Sequence, residues 1–462
     1  MKAIPTLKIS ISGVRGVIGE SLTPTLLARF AQAFGTYVGS GTIVIGRDPR
    51  TSGEMVRQAV IAGLLSSGCR VIDLEVCPVP TVQLIVRQRK ASGGIAITAS
   101  HNPAEWNALK FVNAEGLFLG AGQARELLDI YHQGEYTKVA GGEMRSVERV
   151  TTALDAHINA IISVVGKLPV AIQATGRKLK VALDSCNGAG SIIAPRLLEA
   201  LGAEVVTVNT TPDGSFPRGA EPIAENLRQL CQLVTESKAD IGFAQDMDAD
   251  RLAVIAETGE PIGEDNTLVL ATRYVLGKTP GPVVTNLSTT SAMDDVVKMF
   301  DCTLHRSKIG EANVTEMMQQ IGAVIGGEGN GGVIYPRINF CRDSHVGMAL
   351  ILHLLAETGR PVSDLLADQP RYVMLKEKLA CPSDKISEVL KMIRREFAGQ
   401  PMDLRDGVKI NFGVDQTAGW LHVRGSNTEP IIRLVVEARE EVRARQVIRE
   451  VFEKVENLLQ KN

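Results

Sequence analysis

The sequence predicts an α/β protein made of three related mixed α/β domains and a smaller C-terminal α+β domain. Three observations predict it. A strand–helix–strand pattern with short turns occurs three times. Each occurrence runs on through a further helix into a strand that ends in a loop of unusual composition. After about Tyr372 the pattern changes to alternating strands and a long amphipathic helix. The chain of 462 residues has room for this, because about 150 residues make a typical domain.

In the first occurrence Thr42–Ile45 is a β-branched strand and Gly46-Arg47-Asp48-Pro49-Arg50 a polar turn. A helix is expected from about Glu54 to Leu65, and Arg70–Leu74 is the returning strand. The second occurrence reads Leu179–Leu183, a turn at Asp184–Gly188, a helix over Ile192–Leu201 and a strand over Glu204–Val208. The third reads Pro282–Thr285, a turn at Asn286–Thr290, a helix to Phe300 and a strand at Cys302–Leu304. Strand–helix–strand with short turns is the right-handed crossover of a mostly parallel sheet.

The strand that follows each unit ends in a distinctive loop. Gly94–Ile97 leads into Thr98-Ala99-Ser100-His101-Asn102-Pro103, and Asp240–Ala244 into Asp246-Met247-Asp248-Ala249-Asp250-Arg251. Ala323–Ile325 leads into Gly326-Gly327-Glu328-Gly329-Asn330-Gly331-Gly332. Open α/β sheets bind ligands beyond the carboxyl ends of their strands, so the three loops are expected to converge on one cleft. In the tail, Val408–Phe412, Gly419–Val423 and Ile431–Ala438 read as strands and Glu441–Leu459 as a closing helix, with a fourth loop at Arg424–Pro430. The expected domains are 1–140, 151–257, 258–370 and 371–462, with the charged segment Gly134–Glu148 as a linker after the first.

A net charge of −2, from 50 basic and 52 acidic residues, gives no global field that attracts nucleic acid or an anionic membrane. No apolar run approaches the ~18 residues of a membrane span, and the first ten residues lack the apolar core of a signal peptide. Seven scattered cysteines without a Cys-x-x-Cys pair fit free thiols in a reducing cytoplasm.

The aspartate loop carries the strongest chemical signal. Carboxylates at alternate positions point the same way along an extended chain, which suits a hard divalent cation. A calcium loop is excluded, because Arg251 takes the position where its sharp turn demands glycine and a strand-like run, Leu252–Ile255, follows. Gly327, Gly329 and Gly332 formally match G-x-G-x-x-G, but Val333–Pro336 reads as a strand and Glu328 would repel a pyrophosphate. A carboxylate on a glycine loop suits sugar hydroxyls instead. Gly277-Lys278-Thr279 fails as a nucleotide loop, since Thr272 stands where the leading glycine belongs. Ser100 beside His101 at a strand end is a candidate nucleophile. Arg424 and Arg433 with Ser426, Asn427 and Thr428 offer a phosphate grip.

Taken in order, the four loops resemble those of the α-D-phosphohexomutase family along nearly the whole chain. Thr98–Pro103 resembles its phosphoserine loop, Asp246–Arg251 its metal loop, Gly327–Gly331 its sugar loop and Arg424–Pro430 its phosphate loop. Ser12-Gly13-Val14-Arg15-Gly16 resembles the N-terminal signature, and Asn107 with Lys110 the stretch after the serine. Met247, Ala108, Asn330, Gly332 and Ser10 depart from the usual pattern; many members carry histidine where Gly332 stands. The Glu-Gly-Asn-Gly-Gly form of the sugar loop resembles archaeal-type phosphoglucosamine mutases and their bacterial relatives.

The resemblance implies a heart-shaped four-domain enzyme around a central cleft, a monomer or homodimer acting on a small sugar phosphate. It implies a phosphoserine at Ser100 and one Mg²⁺ held by Ser100, Asp246, Asp248 and Asp250. Ser100, His101, Lys110 and Arg15 are the catalytic candidates; the missing histidine leaves the proton-moving side chain open, and Lys110, which burial beside cations can tune towards neutral pH, is the candidate for it. Glu328, Asn330, Arg424, Ser426, Asn427, Thr428 and Arg433 are the implied substrate ligands. The expected reaction interconverts sugar 6- and 1-phosphates through a 1,6-bisphosphate, with glucosamine ahead of mannose or glucose. The rival classes are a phosphatase, disfavoured because it need not hold a second phosphate, and a sugar-phosphate sensor, which needs neither the serine nor the aspartates.

Overall fold

Each of the three repeats carries four strands in one order, and that order fixes where the loops fall. The structure, a computed structural model, describes residues 6–10, 13–169, 177–413, 419–426 and 430–460. The first unit runs from strand Thr42–Arg47 through helix Gly53–Ser66, strand Arg70–Val76 and helix Val79–Gln88 to strand Gly93–Ile97 and strand Trp106–Asn113. The second runs Lys180–Asp184, Gly190–Leu201, Glu204–Val208, Arg228–Ser237, Ile241–Gln245 and Leu252–Ala256. The third runs Val283–Asn286, Ala292–Met299, Leu304–Ser307, Glu311–Ile321, Ile325–Glu328 and Gly332–Ile334. In every unit the last strand edges the core sheet, pairing antiparallel with the third; the third lies parallel to the first, and the first to the second. A hairpin therefore follows each third strand, and the serine, aspartate and glycine loops are the three hairpin turns.

Several elements differ from expectation. The strand expected at Cys302–Leu304 lies at Leu304–Ser307, where Val283 finds its parallel partner in Leu304. The strand expected to end at Ile325 continues through both glycines to Glu328, because Gly326–Glu328 pair with Gly332–Ile334 across the hairpin. The supposed linker ends in the strand Val147–Arg149, which adds to the first sheet beside Val71–Asp73. Its side chains are not buried, so it leaves no hydrophobic pattern to read. At the opposite edge Lys8–Ser10 and Gly13–Val17 extend that sheet and set Arg15 opposite Ala108.

The first unit has its own apolar core on each face of its sheet. The second and third share one, in which Leu197, Phe243, Leu268 and Leu350 belong to a single cluster. Helix Ser344–Thr358 is its axis: it is buried from Ser344 to Ala356 and packs against helices Glu264–Lys278, Ala153–Val165 and Gly190–Leu201. The C-terminal domain is a wholly antiparallel sheet in the order Val373–Ala380, Ile431–Ala438, Gly419–Gly425, Val408–Phe412 and Met402–Asp403. Helices Ile386–Glu396 and Glu441–Gln460 accompany it. It docks on the third unit through polar contacts. Lys409 Nζ donates to the Leu287 carbonyl at 2.6 Å, His422 Nδ1 meets Ser288 Oγ at 2.7 Å, and Ser291 N–H donates to Glu437 at 2.9 Å. Among the described residues no helix is long and apolar enough to cross a membrane.

Candidate functional site

The serine loop is held by a residue fifty positions upstream. Arg50, at the end of the polar turn after Thr42–Arg47, is buried and caps four carbonyls of the loop. Its Nη2 donates to Ser100 at 2.6 Å and Asn102 at 2.8 Å, and its Nη1 to Pro103 at 2.5 Å and Trp106 at 3.1 Å. Its Nε donates to Asp48 at 2.9 Å, and Asp48 also accepts from Thr98 Oγ1 at 2.7 Å. Thr98 Oγ1 in turn accepts from Ser100 N–H at 3.0 Å. This scaffold fixes Ser100 at φ +49°, a left-handed conformation strained for any residue with a Cβ. Its hydroxyl is thereby aimed across to the second unit, where it donates to Asp246 Oδ2 at 2.8 Å.

The aspartates do converge, but not as an extended chain. Asp246–Asp250 is a turn in which the Asp250 and Arg251 N–H groups donate to Asp246 Oδ1 at 3.2 Å, and Ala249 takes φ +57°. Carboxylate oxygens of Asp246, Asp248 and Asp250 lie within 4.8 Å of one another. The turn supplies this geometry because a buried carboxylate next to two backbone donors stabilises a reversal better than continued strand. Burial, then the charges of Asp248 and Asp250, push the Asp246 carboxyl well above its usual range. Burial would raise Asp248 too, but Lys110 Nζ at 2.7 Å, the Asp246 carboxyl and Arg342 together outweigh it and hold that carboxyl low. Asp248 Oδ1 and Asp250 Oδ1 are buried and accept no hydrogen bond. Clustered, desolvated carboxylate oxygens without donors fit a hard divalent cation.

Cations ring this centre. Arg15 donates to Asn102 Oδ1 at 2.6 Å, and Lys110 also stands 4.0 Å from Asp250. His101 is pushed down to about 2, by burial first and then by Arg251 and Arg15, so its imidazole is neutral at working pH. Arg342 bridges two loops: it donates to Asp250 at 2.6 Å, to Glu328 at 3.0 Å and to Glu311 at 2.9 Å. Glu328 is buried, and its other oxygen accepts from Asn286 and from Gly310 N–H, each at 2.9 Å. Asn330 folds back to accept from Gly332 N–H at 3.3 Å. The glycine hairpin presses on the aspartate loop: Gly331, at φ +83°, receives Leu252 N–H at 3.0 Å, and a Cβ there would meet the Leu252 carbonyl at 2.2 Å. Its glycines serve close packing rather than flexibility.

Arg424 and Arg433 face each other directly across adjacent antiparallel strands. Like charges so placed repel, and an anion between them relieves the repulsion. Burial lowers the Arg424 pKa; Asp406 opposes the shift, and Arg433 adds to it. Ser426 N–H donates to the Ile431 carbonyl at 2.9 Å, while Asn427, Thr428 and Ser12 lie outside the described residues.

The structure thus brings Ser100, His101, Arg15 and Lys110 together with the three aspartates. It ties Glu328 to them through Arg342. Lys110, the candidate for moving a proton, donates to Asp248 at 2.7 Å. Asp48, Arg50, Arg342 and Glu311 were not singled out from the sequence. The signal for Asp48 and Arg50 was present, a charged turn at a strand end beside the serine strand. Arg342 sits in an unremarkable loop and left no signal.

The comparisons with known proteins follow this geometry. Residues 7–138, 155–259 and 263–372 match the phosphoglucomutase/phosphomannomutase α/β/α domains I, II and III, and residues 383–454 match the C-terminal domain of the same family. A probable phosphoglucosamine mutase of Methanopyrus kandleri is 38% identical, over 94% of this chain and 95% of its own length. A phosphoglucomutase/phosphomannomutase of Thermococcus kodakarensis is 37% identical, over 94% of this chain and 95% of its own. Among solved structures, a phosphoglucomutase/phosphomannomutase family protein from Burkholderia thailandensis superposes with a TM-score of 0.83 at 26% identity, covering 98% of this chain and 96% of that one.

Proposed function

This chain belongs to the phosphoglucomutase/phosphomannomutase family, and from that premise we propose that it interconverts sugar 6-phosphates and sugar 1-phosphates through a phosphoserine at Ser100. The observation that carries the reading is the Ser100 hydroxyl held 2.8 Å from Asp246, beside the two unsatisfied buried oxygens of Asp248 and Asp250. A sugar monophosphate anchors its phosphate between Arg424 and Arg433 and turns a free hydroxyl towards Ser100. The bond from phosphorus to Ser100 Oγ breaks as one to the sugar oxygen forms, and the hydroxyl proton leaves to a neighbouring base. The resulting 1,6-bisphosphate turns over in the cleft, and its other phosphoryl group returns to Ser100. Arg15 and Lys110 offset charge on the transferring oxygens. Mg²⁺ held by Asp246, Asp248, Asp250 and the phosphoserine would supply the remaining charge. Glu328, fixed by Arg342 and Asn286, keeps one lone-pair direction for a sugar hydroxyl, with Asn330 beside it.

The proposed pair is glucosamine 6-phosphate and glucosamine 1-phosphate. It is supported by the glycine-loop form and by the similarity to probable phosphoglucosamine mutases. The second reading, glucose and mannose phosphates, is supported by the Thermococcus relative of nearly equal identity. The proposed compartment is the cytoplasm, supported by seven unpaired cysteine thiols. All proposed site residues come from one chain, so a monomer or a homodimer serves. The testing experiment is the ratio of kcat/KM values on glucosamine, mannose, glucose and N-acetylglucosamine phosphates, with free phosphate monitored. A preference of about tenfold or more for mannose or glucose overturns the amino sugar. Release of free phosphate as the main product overturns the mutase.

A further inference from the structure

Beneath the aspartate turn lies a buried polar chain that the proposed chemistry does not use. His157, Asp343 and His345 bring their ligand atoms within 4.8 Å of one another, as in a metal site. Every ring nitrogen is already engaged, so this is a hydrogen-bond chain instead, and its proton directions can be worked out. The Ala249 carbonyl can only accept, so Ser344 Oγ gives it its proton at 2.6 Å and must accept from the Gln245 amide, which leaves Gln245 Oε1 to take the Ser185 Oγ proton at 2.8 Å. Gln245 Nε2 therefore points at Ser344 Oγ at 2.7 Å and at His345 Nε2 at 3.3 Å. His345 Nε2 is then an acceptor, its proton sits on Nδ1, and Asp343 Oδ1 takes it at 3.0 Å. His157 Nε2 holds the other Asp343 oxygen at 2.7 Å.

One consequence reaches the metal loop. Ser344 Oγ thus donates to the Ala249 carbonyl at 2.6 Å while it accepts from Gln245. Ser344 is also the first residue of helix Ser344–Thr358, where backbone N–H groups have no partner inside the helix, and its N–H donates to the same carbonyl at 3.3 Å. Ala249 lies between Asp248 and Asp250 and is the residue strained at φ +57°. A third-unit helix thus clamps the strained peptide that sets the angle between two second-unit carboxylates.

We propose that Ser344 is a positioning residue for the cation site, a latch that holds Ala249 left-handed so that the Asp248 and Asp250 carboxylates stay gathered with Asp246. The proposal rests on the metal role given to these aspartates above. Without the latch, Ala249 relaxes out of the left-handed region and the two carboxylates part. Glycine at 249 has no such penalty and keeps the turn accessible without help.

The test is calorimetric titration of Mg²⁺ into the dephosphorylated full-length protein, as wild type, Ser344→Ala, Ala249→Gly and the double variant. Ser344→Ala should weaken Mg²⁺ binding about 10- to 100-fold, as loss of a group orienting a ligand does, and Ala249→Gly in the same chain should restore most of it. A packing role for Ser344 gives no rescue from position 249. Mg²⁺ binding by Ser344→Ala within about threefold of wild type, or a loss that persists in the double variant, overturns the latch while the metal reading stands. If Ser344→Ala does not fold, a folded, Mg²⁺-binding double variant supports the proposal, and a double variant that fails equally overturns it. A wild type that takes up no Mg²⁺ overturns the metal reading and the latch with it.

Discussion

Replacing Arg50 by lysine keeps a buried positive charge but removes the fork that holds the serine loop. Arg50 makes five contacts, one to Asp48 and four to the carbonyls of Ser100, Asn102, Pro103 and Trp106. An ammonium has three donors, so at least two contacts are lost. Each hydrogen bond to a charged group contributes about 1.5–3 kcal/mol, so the loss is about 3–6 kcal/mol. At about 2–4 °C per kcal/mol, even the lower figure moves unfolding of this part of the protein by about 6–12 °C. The chemistry should fall further than stability at working temperature implies, because Ser100 sits at φ +49° only while its carbonyl is held. A displacement of the nucleophile by about 1 Å costs on the order of 10²-fold in rate. Thermal unfolding and kcat on a sugar phosphate primed with bisphosphate read both effects. An Arg50→Lys protein that melts within ~2 °C of wild type and turns over within ~3-fold would refute the reasoning.

Arg424→Ala removes a charged contact to the anchored phosphate and should weaken sugar-phosphate binding ~10- to 150-fold, leaving Ser100 phosphorylatable by a hexose 1,6-bisphosphate; an unchanged KM takes the loop out of the site. Intact mass should show one phosphate that Ser100→Ala lacks, and excess chelator should abolish turnover until Mg²⁺ is returned; full activity in chelator sinks the metal role. His422, at the seam of the C-terminal domain and the third unit, is pushed down by burial to about 4 from its ordinary 6.5. The folded imidazole resists a proton that the unfolded chain accepts, so its contribution is complete above pH 6.5 and is lost as pH falls towards 4. The protection factors of amides around Leu287–Ser291, that is exchange corrected for its intrinsic pH dependence, should therefore fall between pH 6.5 and 4 in wild type and change less in His422→Gln; equal slopes in both proteins would exclude His422 as the titrating group.

The sequence by itself determined the repeat and the places where its loops fall. Alternating apolar strands, helical periodicity and turn residues are local signals, and buried strands such as Gly93–Ile97 and Ile241–Gln245 leave them plainly. It also named the serine, the three aspartates and the paired arginines, because unusual residue types at strand ends stand out against a regular background. It missed Val147–Arg149, whose pairing is made by backbone alone, and it drew the aspartates as an extended run where a turn brings them together. Only the tertiary structure decided which charges meet. Lys110 and Asp248 are 138 residues apart, and Arg342 lies 92 residues from Asp250. Ser344 reaches Ala249 across 95 residues. An ion pair or a buried hydroxyl contact between distant residues imposes no period on the chain. Its partners are fixed when the second and third units close over one shared core and the first folds against them.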